Sequence, residues 1–485
     1  MIRANDNISL PGFYLIQTLM KHIYLILYIF VMIIYSCSSP SNGINIDDDT
    51  SNSTSNDTIK DENNTEETEN EEYDILLDNT SKLSEIKFEP GLKIAIKNGT
   101  YNSQNIIFTA NGEENAPITL MAEELGKVKF TGNSTITING KYLIVKGFKW
   151  ENPENIQSYV VKFEKNSESC KLENCSITGF DTKEDIENDS KWLSIYGTHN
   201  TVIHCSFSDK KNIGALCVVW LEEDIEARHI ISHNYFSRPT TLYDNSNSAI
   251  NGQETIRIGD SNHSLQDAYC LVDSNYFYHC HGELAEIISN KSCKNTYNGN
   301  GFYECKGTLT LRHGNECTVT GNYFIGNGMN QTGGVRIIGE NHMIENNKFE
   351  TLGGEGYKAG LCIVRGQENN PLNGYAPVKN AVIRNNIFID CNLAFHINYK
   401  GSSTQTIPPT GTKIYNNIAI AKNKTGYVIK YEESDMVSDI LWDNNLLYGK
   451  IMNNIFDIST SNTKPEIPQS NHDINKIKDL AGTSF

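Results

Sequence analysis

Basic residues are in short supply in this 485-residue chain: 41 Lys and Arg stand against 59 Asp and Glu, a formal net charge of −18. That balance argues against a general nucleic-acid binder, whose affinity rests on neutralising phosphates with Lys and Arg. Much of the imbalance is local, because residues 47 to 72 hold eleven acids and one base, Lys60, a net −10. The remainder is only mildly acidic, and a face rich in Lys and Arg can still attract a polyanion. No Cys-x-x-Cys pair and no Cys/His spacing suits zinc. The apolar run within residues 21 to 37 is too short for a comfortable membrane span. From Pro90 onward helical periodicity is missing as well, which leaves strands and turns to build a chain long enough for one elongated domain or two ordinary ones.

The short apolar run has a meaning of its own. In KHIYLILYIFVMIIYSC (21 to 37) a basic flank precedes it and small residues close it, which reads as a secretory signal. Ile34-Tyr35-Ser36-Cys37 resembles the bacterial lipobox, in which signal removal leaves a lipidated cysteine, here Cys37, as the new N-terminus. Met20 directly precedes Lys21 and is the expected true start. Residues 38 to 72 have almost no large apolar side chain and read as a disordered acidic tether. The expectation is an exported protein of a bacterial cell envelope that touches membrane only through its lipid anchor. Residues 73 to 485 then form the folded domain. It opens with YDILLDNTSKLSEI (73 to 86), whose apolar spacing suits a short amphipathic helix capping the first layer.

Beyond that cap, short β-forming runs alternate with Gly and Asn: LKIAIKNGTY, APITLMAE, GKVKFTG, STITING and KYLIVKGFKW. A repeat then emerges in which an apolar run is followed by Asn, one further residue, and Phe or another apolar residue. Its copies centre on Asn174, Asn234, Asn275, Asn300, Asn322, Asn347, Asn386, Asn417 and Asn445. The tightest intervals are 25, 22 and 25 residues, from Asn275 to Asn347. Such a period predicts an all-β solenoid, a single-stranded right-handed parallel β-helix. Asn suits the corner of each coil because it tolerates the left-handed backbone and its amide can bond to the Asn of the next coil. Eleven cysteines, from Cys170 to Cys391, fall in strand-and-turn segments where a stacked coil needs small apolar fillers. They are expected to be buried and unpaired.

One stretch, HGELAEIISNKSCKNTYNGNGFYECKGTLTLRHG (281 to 314), gathers two carboxylates, a lysine and an arginine. Lys291, Arg312 and Arg336 follow at intervals of 21 and 24 residues, one per coil, and predict a vertical column on one outward face, with Arg365 extending it after an insertion. Adjacent strands of such a sheet lie about 4.8 Å apart.

Four segments carry a resemblance: GQETIRIG (252 to 259), EIISNKS (286 to 292), GTLTLRHGN (307 to 315) and GGVRIIGE (333 to 340) are similar, in order and spacing, to the signature segments of polysaccharide lyase family six, the family of alginate lyases and chondroitinase B. The resemblance runs from about Pro90 to beyond Asn386. It implies a right-handed parallel β-helix that cleaves a uronate-containing polysaccharide by β-elimination, usually with calcium. By the same resemblance Lys291 is the proton-abstracting base and Arg312 stands beside the leaving oxygen. Asn251, Glu283 and Glu286 resemble the Ca²⁺ site, His313 is a structural or substrate-contacting residue, and Arg336 suits a sugar carboxylate in an adjacent subsite. The chemistry fits the residue types. Taking the proton from C5 of a uronate builds negative charge beside a carboxylate, which Ca²⁺ held by Asn and Glu oxygens would neutralise. A lysine takes up that proton only where nearby positive charge favours the neutral amine.

The chain departs from the family pattern once. Relatives write their glutamates as Glu-x-Glu, whereas Glu283-Leu284-Ala285-Glu286 holds one residue more. On a strand the two carboxylates would point to opposite faces unless a bulge absorbs the extra residue. The substrate expected first is alginate. A dermatan sulfate lyase of the chondroitinase B kind and a non-catalytic β-helix that binds anionic polysaccharide stay open as alternatives. A hydrolase would need a pair of carboxylates as acid and base, which Lys291 with Arg312 does not supply.

Overall fold

The structure, a computed structural model, describes residues 72–179, 187–432, 439–469 and 473–485. The expected signal segment, Cys37 and the acidic tether up to residue 71 lie outside the described residues. Three parallel sheets of 14, 13 and 13 strands carry nearly all the regular structure, and in each sheet a strand pairs with the corresponding strand of the preceding and following coil. This is the right-handed parallel β-helix that the repeat predicts. Strands of three to seven residues separated by tight corners let each coil contribute one strand to every sheet.

The repeat Asn does half of what its spacing suggests. From Asn275 through Asn300, Asn322, Asn347, Asn386 and Asn417 to Asn445, each Oδ1 accepts from the backbone N–H and the Nδ2 of the Asn one coil earlier, starting from Asn234, at 2.9–3.0 Å. The left-handed backbone belongs instead to the residue before it: His233, Ser274, Asn346, Asn385, Asn416 and Asn444 have φ between 47° and 56°, and Gly299 and Gly321 fill the same place. The two tasks need different residues, because a side chain aimed inward along the stack cannot also turn the corner. Asn174 is therefore not a member of the ladder. It is the corner residue, at φ 51°, and Cys175 and then Cys205 occupy the ladder position, the Cys175 N–H lying 3.4 Å from the Cys205 sulfur. Two residues past the ladder Asn from Asn234 to Asn386, Phe236, Phe277, Phe302, Phe324, Phe349 and Phe388 stack with ring centroids 4.4–5.1 Å apart. The eleven cysteines from Cys170 to Cys391 are buried and free.

The cap differs from expectation. Ile75–Leu77 is a strand paired in parallel with Lys93–Ile96, and a 3-10 turn, Thr80–Glu85, follows it. Leu77 and Leu83 are the side chains that reach the core. The open edge of the first sheet supplies hydrogen bonds that a two-turn helix cannot match, and Asn79 starts the turn by accepting from the Ser81 N–H at 2.9 Å.

Candidate active site

Lys291 ends the strand Glu286–Lys291. Ile288 on this strand points into the core, so Ser289 and Lys291 face outward. Asn290, fully buried between them, donates to the carbonyls of Ser292 (2.8 Å) and His313 (2.7 Å) and accepts from Asn295 Nδ2 and the Tyr297 hydroxyl (both 2.8 Å). That amide pins the strand end to the next strand, Gly307–His313, where the register slips: Asn290 faces Leu311 but Lys291 faces His313, leaving Arg312 as the extra residue. A bulge of this kind re-aims a side chain, and here it puts His313 opposite Lys291 where an unbroken register would have put Arg312. Arg336 faces Thr310, which in turn faces Ser289. The expected single column is thus two: Arg336 shares the outward face but stands two residues along the strand from Lys291.

The Arg312 guanidinium donates to the carbonyls of Gly374 (2.6 Å) and Asn373 (3.2 Å) and lies 4.2 Å from the centre of the Tyr375 ring. His313 is buried, with Nδ1 3.4 Å from Arg312 Nη1 and Nε2 3.5 Å from Ser261 Oγ. Burial, with Arg312 and Lys291 nearby, pushes its pKa down to about 3, so the ring is neutral at ordinary pH. Lys291 forms no ion pair among the described residues.

The extra residue of the glutamate segment is taken up by a turn through Gly282 and Leu284 ahead of the strand, and the pairing slips once just past Glu286, leaving Ile287 between the Glu286–Thr308 and Ile288–Leu309 pairs. Gly282 and Leu284 adopt φ of 44° and 62°, and the Leu284 N–H donates to His281 O at 2.7 Å. Only glycine fits at 282, since a Cβ there would come within 2.2 Å of Gln253 O. This close approach carries Glu283 against the 251–255 segment, where its Oε2 accepts from the Gly252 N–H at 2.7 Å. Glu283 and Glu286 thereby converge with a residue that sequence reasoning missed, Glu254. The three buried side chains each offer a carboxylate oxygen, all within 4.8 Å of one another. Burial first, then the charges of Glu254 and Glu286, raise the pKa of Glu283 to about 8. Glu286 also forms an ion pair with Arg336.

Asn251, Glu283, Glu286, Arg312 and Arg336 line one pocket of about 400 Å³, together with Tyr357, Tyr375 and Tyr399. The tyrosines had no sequence signal, since Tyr357 and Tyr375 arrive on later loops and Tyr399 at the end of a later strand, Phe395–Tyr399. Glu254 had one, as the acid of the same GQETIRIG segment. Lys291 and His313 are not part of the pocket lining. Arg365 does not join the cluster: its Nε donates to Asn398 O (3.0 Å) and its Nη2 to Glu432 O (3.3 Å). Asn251 and the three carboxylates make an all-oxygen donor set of the kind Ca²⁺ prefers. Glu254 Oε2 is buried without a hydrogen-bond partner, an orphaned acceptor that a cation would satisfy.

The profile of the chondroitinase B family matches residues 77–484. Among solved structures, the PL6 family alginate lyase AlyGC is similar with a TM-score of 0.73 and 31% identity, over 84% of this chain and 56% of that one. A mannuronic acid specific family 6 polysaccharide lyase from human gut microbiota gives 0.70 and 25%, over 84% and 95%. The alginate lyase AlyF-OU02, at 22% identity, shares the fold with a TM-score of 0.73 over 85% and 94%. The chain thus spans little more than half the length of AlyGC. The comparison with curated proteins finds no match. Because the family profile covers every strand that carries Lys291, Arg312 and the three glutamates, the chain belongs to the chondroitinase B family, polysaccharide lyase family six.

Proposed function

We propose that this protein is a polysaccharide lyase that cleaves a uronate-containing polysaccharide, alginate first, by β-elimination. The observation that carries the reading is one pocket in which Arg312 and Arg336 meet the carboxylates of Glu283 and Glu286, while Lys291, an amine without an ion pair among the described residues, pairs across the sheet with the residue that follows Arg312. In the reaction Lys291 Nζ takes the proton from C5, the C4–O bond breaks as the C4=C5 double bond forms, and the departing oxygen takes a proton from water. Arg312 stays charged throughout and supports the developing negative charge. His313, neutral and beside Arg312, contacts the substrate or relays a proton. Asn251, Glu254, Glu283 and Glu286 would hold Ca²⁺, which supplies Lewis-acid neutralisation of the uronate carboxylate. Arg336, paired with Glu286 at the pocket wall, offers its remaining donors to a sugar carboxylate.

The likeness to AlyGC and to the mannuronic acid specific lyase supports alginate, and the family profile keeps dermatan sulfate as the second substrate to try. Ultraviolet absorbance of a 4,5-unsaturated uronate, followed with alginate and dermatan sulfate side by side, tests both. Growth of the band with neither polymer would refute the lyase reading. The N-terminal sequence supports export and lipid anchoring through Cys37. Cys37→Ala is expected to release the protein from the membrane fraction of a bacterial host, and retention there would refute the anchor.

A further inference from the structure

We propose that Lys358 and Gln331, across Tyr357 from the elimination site, form a second subsite that binds the carboxylate of a neighbouring uronate in the same polysaccharide chain. The inference rests on the lyase reading for its substrate. A short 3-10 turn, Gly356–Lys358, sets Tyr357 and Lys358 side by side. Tyr357 lines the main pocket and also a second hollow of about 370 Å³, whose wall includes Gln331, Lys358 and Asn392. Its ring is therefore a partition between two cavities. Arg336 Cζ lies 5.1 Å from the ring centre and Lys358 Nζ 5.2 Å from it. Both cations thus lie against one ring, Arg336 lining the main pocket and Lys358 the hollow beside it.

Charge supplies the second argument. Lys358 Nζ donates to Gln331 Oε1 at 2.8 Å, yet neither Lys358 nor the neighbouring Lys306 forms an ion pair among the described residues. Burial, then Arg336 and Lys306, lower the pKa of Lys358 to about 8. Arg336 is already committed to Glu286. Glu355, on the rim of the same hollow, is bound by Asn392 Nδ2 at 2.6 Å. A half-buried ammonium held near two like charges destabilises the free protein, and an incoming anion relieves that repulsion. A uronate carboxylate would accept from Lys358, with the amides of Gln331 and Asn392 placed for sugar hydroxyls.

The test uses Lys358→Ala and Lys358→Gln, with Lys358→Arg as the charge-preserving control and thermal melts to confirm folding. On polymer, kcat/KM is expected to fall about tenfold, the loss of one charge-assisted hydrogen bond, mainly through KM. The deficit should fade as the oligosaccharide shortens to the smallest cleavable one, and Lys358→Arg should keep most activity. An unchanged polymer KM, or the same deficit at every length, would overturn the subsite. Calorimetric binding of uronate oligosaccharides in a Lys291→Ala background reads the subsite without turnover. A wild type inactive on every uronate polymer sinks the lyase reading, whereas unchanged affinity on adding Lys358→Ala sinks the subsite alone.

Discussion

Lys291 is outward-facing and contributes nothing to the core, so its removal separates chemistry from folding. Lys291→Ala is expected to lower turnover by about 10²–10⁴-fold, as loss of a general base does, with an unchanged melting temperature. Activity near wild type would remove the lysine from the mechanism. Arg312→Lys should be severely impaired too, because one ammonium cannot reach both Gly374 O and Asn373 O and present a planar fork to the substrate. Glu283 makes a different prediction. Its pKa in the folded, metal-free protein is about 8, against an ordinary 4.5, so the folded state binds more protons than the unfolded one between those values. Stability conferred by that proton is fully present below pH 4.5 and is lost as pH rises to about 8. Melts in chelator should therefore show a melting temperature that declines across this window, with Glu283→Gln flattening the decline. Added Ca²⁺ should raise the melting temperature most near pH 8, where the carboxylate is free to bind. A Ca²⁺ shift of zero at every pH would remove the metal from this site.

At the scale of elements, the turn around Leu284 holds the carboxylates together. Its φ of 62° is open to Gly and closed to Pro, whose φ is locked near −65°. Leu284→Gly should keep the Ca²⁺-dependent rise in melting temperature, and Leu284→Pro should abolish it, while both retain the far-ultraviolet spectrum of the β-helix. The same response in both variants would mean that the turn does not position the site. The Asn ladder is the other element-level device. Asn322 serves Asn300 on one side and Asn347 on the other. Asn322→Ala should cost about 1–3 kcal/mol per buried group left unpaired, measured by denaturant unfolding.

Across the whole molecule, the last thirteen residues run back over coils laid down far earlier in the chain. Ile474 of the helix Ile474–Leu480 packs against Gly301. Beyond it, the Gly482 N–H donates to His233 O (2.8 Å), the Thr483 N–H to Ser206 Oγ (2.9 Å) and the Ser484 N–H to Asn174 Oδ1 (2.9 Å). This strap ties successive corners together at a distance from Lys291 and Arg312. Removing residues 473–485 is expected to cost about 1–3 kcal/mol of stability and to leave kcat/KM at low temperature unchanged. A selective loss of activity would give the strap a role in the site.

What the sequence determined by itself was whatever repeats or lies close along the chain. The coil period, the Asn ladder, the stacked Phe and the buried unpaired cysteines follow from a pattern that recurs every coil, and Lys291, Arg312 and Glu286 follow from local motifs. Tertiary structure alone decided the rest, because each remaining feature depends on a register or on loops that meet from distant positions. The slip after Asn290 put His313 rather than Arg312 opposite Lys291, a one-residue event that spacing cannot reveal, and the longer coil that pairs Arg336 with Thr310 set Arg336 two residues off the column. The left-handed turn at Leu284 brought Glu283 to Glu286 in spite of its extra residue, and the glycine at 282 let that turn reach Glu254. Arg365 shares the spacing of the site but not its direction, since its guanidinium is held by backbone carbonyls of Asn398 and Glu432. Tyr357, Tyr375 and Tyr399 carry no motif, and only the stacking of later coils, with their loops, places them in the pocket.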